Sequence, residues 1–501
     1  MDRCTLSAPL LASPFGDALA EALLPWVTEL GRFVQGFLNQ EVTPTGACQF
    51  EGELHDRVRQ LGRALLEWTW NHLEGDDEEA PAAQLCWEGE YYRRRAKSPN
   101  RCLDSLFGRI RLERYRYEPL QPGERSLFPL EMRLGIEAER ATPALAQRVG
   151  QWAAQATQQQ VLAILRRDHA VHWAVKTLRK VTQSVSAGMA EFREAAQVAK
   201  LGELLKQAQA GTGRHRPTLV VGRDGIMLPL RGEPEHREGA AGTVSVLDRR
   251  GRRLGTVYLG RMPESGQKTL SRQLTGLVVG VLALWAGLPP RLQYITDAGH
   301  QPVRFFKKVL KKLGDPRRPG QRLRWLGVID YYHATTYIAK MAEVLFASPS
   351  QGRAWMRKMC RWLKDKPRGL NRVLHSAAAL RRRRRGLRRA WKKYQKGYDY
   401  LRKYLRFMDY AGYRRQGLGI GSGVTEAACK TVFTQRLKQS GMTWYVEGGQ
   451  VIVDLRTILL SGVWDEVHRA YLASKRFPQN RTQRGRGQKT RRIAAENDGR
   501  G

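Results

Sequence analysis

The sequence is short of acidic side chains and of long hydrophobic runs. It has 47 Asp and Glu against 86 Lys and Arg, a formal net charge of +39. So large an excess favours a polyanionic partner, either nucleic acid or an anionic membrane surface. No uninterrupted apolar run reaches the roughly 20 residues that span a bilayer, and the first residues lack the basic-then-apolar order of a signal peptide. We therefore expect an intracellular protein that binds nucleic acid and has no membrane partner.

Paired cysteines and a nucleotide-binding loop are also missing. The six cysteines form no Cys-x-x-Cys pair, so spacing predicts neither a zinc ribbon nor a redox motif. Reduced, mostly buried thiols are the simpler interpretation. The glycine-rich segment 417–423 lacks the Gly-Lys-Ser/Thr ending of a phosphate-binding loop and no strand immediately precedes it. This disfavours a nucleotide hydrolase.

A chain of 501 residues is too long for a single core. Composition and hydrophobic periodicity predict several domains in a multidomain α/β protein. They are an acidic helical domain (1–80) suited to assembly, a small β-rich basic module (81–140), a helical region (141–210), a catalytic core (211–347 and 417–473), a basic helical insertion (348–416) and a disordered basic tail (474–501).

Three regions are candidates for DNA contact. The alternating aromatic and basic residues of 86–135 predict a sheet with one basic face, which suits phosphates and bases as well as it suits solvent. Residues 158–167 and 171–180 have the outline of a helix-turn-helix, although many helical hairpins bind nothing. In the insertion, basic density with interleaved aromatics favours nucleic acid over a merely solvated face. The DNA-binding residues predicted in the second helix of the helix-turn-helix are Lys176, Arg179 and Lys180. Those predicted in the insertion are Arg381, Arg382, Arg383, Arg384, Arg385, Arg388, Arg389, Lys392 and Lys393.

The core has the element order of a ribonuclease-H-like domain. Three antiparallel strands are followed by helix, strand, helix, strand and helix, which predicts a mixed five-stranded sheet. Asp224 ends the first strand and Asp297 the fourth. If these strands are neighbours, the two carboxylates meet at one edge of the sheet. Carboxylates are the ligands that magnesium prefers, and two divalent ions suit phosphodiester cleavage.

Glu426 is the best candidate for a third acid. It follows the glycine-rich segment 417–423 in the first turn of a helix predicted over 424–437. An acid in a first turn is also a common helix-stabilising device. Asp330 competes with Asp297 for the role of second catalytic acid, and His333 lies close to it in sequence. Because the fifth strand lies further from the first than the fourth does, Asp330 and His333 suit an auxiliary role. Alternatively, Asp330 caps the helix that follows it. Arg436 and Lys438 are placed either to hold phosphates or as surface charges.

These residues stand in motifs that resemble the ISKra family of bacterial insertion-sequence transposases over about residues 86–470. The resemblance implies a DNA transposase with a ribonuclease-H-like core and the acid triad Asp224, Asp297 and Glu426. Such an enzyme uses two Mg²⁺ or Mn²⁺ ions, cuts double-stranded DNA at the ends of its element and joins them to target DNA. The motifs are Asp224-Gly225-Ile226, Thr296-Asp297-Ala298, and the segments 328–334, 421–430 and 436–444.

The resemblance also bears on metals, assembly and location. Family members often carry a cysteine-rich zinc segment, but here only Cys86 and Cys102 remain in that region, so no zinc site is expected. Synapsis of two DNA ends implies at least a dimer, in a nucleoid-associated cytoplasmic protein. Two alternatives stay open: a domesticated DNA-binding protein that no longer cuts, and a structure-selective ribonuclease-H-like nuclease.

Overall fold

The computed structural model describes residues 14–76, 79–383 and 388–478. The chain divides into two compact units, and the predicted helical region 141–210 is shared between them. The first unit contains the residues up to Trp152, Thr157–Val185 and those from Tyr471 onward; the second contains Ala153–Ala156 and Ser186–Ala470. Within the described ranges, no helix combines the length and apolarity needed to cross a bilayer.

The first unit combines helices with a three-stranded antiparallel sheet. Along β3 the apolar Ile110 and Leu112 are buried while Arg109 and Arg111 are exposed, so the sheet has one apolar and one basic face. The elements are α1 (Pro14–Leu38), α2 (Pro44–Asn71), β1 (Gln84–Trp87), β2 (Glu90–Ser105), β3 (Gly108–Pro119), α3 (Pro129–Arg133), α4 (Pro143–Gln155), α5 (Gln158–His169) and α6 (Val175–Ala210), of which α4 and α6 continue into the second unit.

The turn between α5 and α6 is longer than the sequence indicated. The second helix was predicted to begin at Val171, but α6 begins at Val175. Ala170 ends α5 in a left-handed conformation, with φ 49°. The extended residues that follow bury Val171 and Trp173, and the Trp173 indole donates to Asp104 Oδ2 at 2.7 Å. Because these two side chains are buried from an extended segment, the helix begins four residues later than predicted.

The second unit is built on a five-stranded mixed sheet, as the element order predicted. The strand order is β6-β5-β4-β7-β8, with β4, β7 and β8 parallel and β5 and β6 antiparallel. The strands are β4 (Thr218–Leu228), β5 (Arg237–Leu247), β6 (Arg253–Arg261), β7 (Arg291–Thr296) and β8 (Trp325–Ile329). The assignment of Asp224 to the end of the first strand was wrong, because antiparallel pairing with β5 extends β4 to Leu228.

Helices cover both faces of this sheet. On one face, α7 packs Leu270, Leu274 and Leu277 against the strands. The helices are α7 (Lys268–Leu284), α8 (His300–Lys308), α9 (Tyr331–Leu345), α10 (Pro349–Asp365), α11 (Gly369–Arg382), α12 (Arg388–Lys403), α13 (Tyr410–Arg415), α14 (Gly423–Ala428), α15 (Gln435–Leu437), α16 (Val446–Leu460) and α17 (Trp464–Ser474, ending in the first unit), with a π-helical segment at Cys429–Thr434. The helix predicted over 424–437 is thus interrupted by a π-helical turn, a feature common at functional sites.

The helices of the insertion pack with α9 around one apolar core. Ile338 and Met341 of α9 lie in the same buried cluster as Trp355 and Met359 of α10. Tyr394 of α12 is 1% exposed. Part of the aromatic pattern of the insertion is therefore packing and is out of reach of nucleic acid.

Candidate active site

The first two acids lie level with each other: Asp224 is in β4, and Asp297 directly follows the neighbouring parallel strand β7. Pairing of β4 with β7 runs from Thr218 opposite Arg291 to Gly222 opposite Ile295. Continued by two residues, this register places Asp224 opposite Asp297. Side chains at the carboxyl ends of parallel strands share one edge of a sheet. Backbone pairing alone thus brings these two residues to the same edge of the sheet.

A glycine lets the third acid approach. A Cβ added at Gly222 would stand 1.9 Å from the Thr425 hydroxyl oxygen and 2.9 Å from that of Thr243. These two hydroxyls instead hydrogen-bond each other at 2.8 Å. Helix α14 can therefore lie directly on β4, two residues before Asp224, with Glu426 in its first turn.

The glycine-rich segment before α14 is held by a residue of β7 and by the residue that caps α9. The buried Gln293 side chain of β7 donates to the Gly419 carbonyl at 2.7 Å and accepts from the Gly419 amide at 3.1 Å. The Ser422 amide donates to Asp330 Oδ2. The Ser422 hydroxyl then donates to Glu426 Oε1 at 3.0 Å. These contacts fix the position from which Glu426 emerges.

Asp297 begins a tight turn after β7. Its Oδ1 accepts the Gly299 amide at 2.9 Å, and Ala298 between them has φ 69°. The Tyr400 hydroxyl of α12 donates to the Asp297 carbonyl at 2.9 Å. The Asp297 side chain stays partly exposed. The insertion thus contributes a tyrosine that holds the backbone of this acid.

Asp330 has a structural task. It is fully buried and precedes α9, where its Oδ1 accepts the His333 amide at 2.6 Å while its Oδ2 accepts the Ser422 amide. Both oxygens are therefore used by the backbone, as a helix cap and as an anchor for the glycine-rich segment. His333 packs edge-on against Tyr337 and Tyr400, with ring centroids 5.4 and 5.8 Å away.

Burial and like charge raise the pKa of Asp224 to about 6. Desolvation is the main cause, and the carboxylates of Asp297 and Glu426 add repulsion. In the described ranges none of these three acids forms an ion pair with Lys, Arg or His. No set of three His, Cys, Asp or Glu side chains in those ranges is arranged so that it could hold a metal ion. Asp297 and Glu426 thus lie within electrostatic reach of Asp224.

Cys429 is a neighbour of Asp224 that spacing did not single out. It is 7% exposed, its thiol donates to the Gly225 carbonyl at 3.9 Å, and burial together with the nearby carboxylates of Asp224 and Glu426 raises its pKa far above the usual range. Gln293 and Tyr400 were likewise missed. Each contacts a residue more than a hundred positions away, so no local pattern could have revealed it.

The predicted DNA-binding residues are mostly exposed where the structure describes them. Lys176, Arg179 and Lys180 lie on the first turns of α6. In the insertion, Arg381 to Arg383, Lys392 and Lys393 are exposed, and Lys393 pairs with Glu343. Lys438 is exposed and donates to the Met227 carbonyl at 3.1 Å. Arg384 and Arg385 lie outside the described residues, as do the side chains of Arg388 and Arg389 and the predicted tail from residue 479.

The prediction for Arg436 was wrong. Its side chain is 1% exposed, its Nε donates to the Ala153 carbonyl at 2.9 Å, and the guanidinium lies 5.2 Å from the centre of the Trp444 ring. Burial and the neighbouring Arg456 lower its pKa to about 10. Arg436 therefore cannot reach a phosphate at the surface and serves packing within this unit.

Comparison of the sequence with models of protein families and with curated proteins gives no match in either set.

Proposed function

We propose that this chain is a DNA transposase of the ISKra type whose active site is formed by Asp224, Asp297 and Glu426. The observation that carries the proposal is the placement of one acid in β4, of a second directly after the neighbouring parallel strand β7, and of a third on a helix seated against β4. The strand order, 3-2-1-4-5 along the chain, supports a ribonuclease-H-like core. The sequence resemblance adds the cutting and joining of insertion-sequence ends.

The three carboxylates suit divalent cations by their chemistry. Hard oxygen donors are what Mg²⁺ and Mn²⁺ prefer. The pKa of Asp224 is raised by burial and, to a smaller extent, by two neighbouring carboxylates, so a bound cation would stabilise its charged form. Asp224, Asp297 and Glu426 are the residues that would hold the metal. A pair of such ions supplies an activated water and neutralises charge on the leaving oxygen.

The remaining groups of the site have positioning tasks. Tyr400 and the turn at Ala298 hold Asp297, Gly222 admits α14, and Gln293 with Asp330 holds the segment that leads to Glu426. The exposed cations of α6 and of the insertion suit phosphate contacts, which orient a duplex without reading its sequence.

The decisive experiment incubates the purified protein with Mg²⁺ and a DNA fragment that carries the ends of its own element. Asp224→Asn, Asp297→Asn and Glu426→Gln should abolish both cutting and joining while leaving DNA binding intact. The matched control is Glu238→Gln: this acid of β5 lies over Gly225, and neighbouring residues of a strand face opposite ways, so it is on the other face of the sheet from Asp224.

The products separate transposition from its alternatives. Cut and joined products support the proposal, whereas cutting without joining favours a nuclease. Binding without any cutting by the parent protein favours a domesticated DNA-binding protein. Full cutting by Asp297→Asn would remove Asp297 from the triad.

A further inference from the structure

The two N-terminal helices form a hairpin whose apolar surface is only partly covered. Phe50 of α2 stacks on Phe33 and Phe37 of α1, with ring centroids 4.9 and 4.0 Å apart, and Arg57 pairs with Glu29 at 2.6 Å. Yet none of the 28 residues of α2 is buried. Helices in proteins draw most of their stability from a buried apolar face. The sheet covers only one side of α2, where Leu66 and Trp70 pack on the buried Leu103, Ile110 and Leu112, so much of the apolar surface of the hairpin stays exposed.

Helix α1 presents a second apolar stripe beside the face that packs on α2. Successive members of this stripe are four, three, four, three and four residues apart, which is the spacing of a coiled-coil seam. Leu24, Val27 and Leu38 are 61%, 52% and 69% exposed. The stripe consists of Ala20, Leu24, Val27, Gly31, Val34 and Leu38.

Helix α2 repeats the pattern in a shorter form. Leu54, Val58, Leu61 and Leu65 are four, three and four residues apart, with Val58 and Leu65 49% and 41% exposed. Each helix of the hairpin thus offers a seam to a further helix. Two hairpins that paired these seams would close a four-helix bundle.

A second copy of the hairpin is the occupant that fits best. The α1 stripe contains no charged side chain, so an identical stripe meets it without burying a charge. A Cβ added at Gly31 would have no atom within 4 Å, which leaves room for a close helix. The spacing is also that of the residues by which like helices interlock side chains.

We propose that residues 14–71 form a dimerisation hairpin, in which α1 and α2 of one subunit pack along the same stripes of a second subunit as a four-helix bundle. The inference concerns assembly and does not depend on the cleavage chemistry proposed above. An Asp224→Asn variant that no longer cuts should therefore dimerise as the parent does.

The test measures the mass of the full chain by light scattering and sedimentation over a range of concentrations, in high salt without DNA. The parent should be a dimer. Leu24→Glu with Val27→Glu should weaken dimerisation at least about a hundredfold, because two charges would enter an apolar seam. The matched control, Ala18→Glu, puts the same side chain on the exposed polar side of α1 and should leave the dimer unchanged.

Helicity separates loss of assembly from loss of folding. Leu24 and Val27 are exposed in the single chain, so the double variant should keep the circular dichroism of the parent. A second variant keeps the test valid if the double variant misfolds: Val58→Asn alone should weaken the dimer, because Val58 lies in the α2 stripe. A monomeric parent at tens of micromolar, or a double variant that dimerises as tightly as Ala18→Glu, would overturn the proposal.

Discussion

Asp224→Asn should stabilise the protein at neutral pH while abolishing its activity. The folded state raises the pKa of Asp224 from 3.8 to about 6. When folding raises the pKa of a carboxyl group, the folded state is favoured by the protonated form of that group. This contribution to stability is fully present below the pKa of the unfolded state, and it is lost as the pH rises through the pKa of the folded state. The parent therefore loses stability between about pH 4 and pH 6 at this one group.

The pKa values set the size of the effect. Each unit of pKa corresponds to about 1.4 kcal/mol, so the change from 3.8 to about 6 gives at most about 3 kcal/mol. The amide of Asn is uncharged at every pH, so the variant avoids this loss. Because the carboxyl is partly exposed, we expect a gain of about 1 to 3 kcal/mol at neutral pH and almost none near pH 4.

The assay is unfolding of parent and variant, by heat and by urea, at about pH 4 and at neutral pH, with and without Mg²⁺. A hundredfold excess of Mg²⁺ over its Kd should stabilise the parent by about 2.7 kcal/mol and the variant far less. If Asp224→Asn lowered stability by the same amount at both pH values, the inference that the folded state destabilises the charged form of Asp224 would be refuted.

The surroundings of the site lead to four further predictions. Gly222→Ala should slow cutting strongly and lower stability by about 1 to 3 kcal/mol, since its Cβ meets the Thr425 hydroxyl at 1.9 Å; Thr425→Ala in the same chain should restore part of both, as cleavage rates and urea unfolding will show. Gln293→Ala removes two hydrogen bonds to Gly419 and should cost about 2 kcal/mol in urea unfolding; an unchanged midpoint would contradict this. Asp330→Asn should destabilise by about 1 to 3 kcal/mol, because its new NH₂ group faces a backbone donor; an increase in melting temperature would argue against the anchor. Arg382→Ala with Lys392→Ala should flatten the dependence of log Kd for DNA on log salt by about one for each phosphate that is no longer neutralised, as fluorescence anisotropy measures; an identical slope would remove these exposed residues from the interface.

The sheet was predictable because each strand is a short apolar run and the runs appear in a readable order. Strand order alone then placed Asp297 beside Asp224 and put β8 one position further out. The sequence could not show how far β4 continues, because its end at Leu228 depends on pairing with Arg237 of β5.

The burial of Arg436 and that of Tyr394 in the insertion could not be predicted, and both have one physical cause. A charged or aromatic residue in a basic helix has the same local pattern whether it faces solvent or a neighbouring helix. The environment of Arg436 comes from the Ala153 carbonyl, far away in the chain, and Tyr394 is buried by helices on both sides of it in sequence. Only tertiary packing decides such positions.

The anchoring of the glycine-rich segment has a consequence for synthesis on the ribosome. Gln293 and Asp330, which hold the segment, are made well before Gly419 and Ser422, and the whole insertion is translated in between. While the insertion emerges, the nascent chain already carries two of the acids and, progressively, the cations of α11 and α12. Glu426 is added last. A chain interrupted in this interval would keep the cations of α11 and α12 but would lack Glu426 and the segment that Gln293 and Asp330 hold.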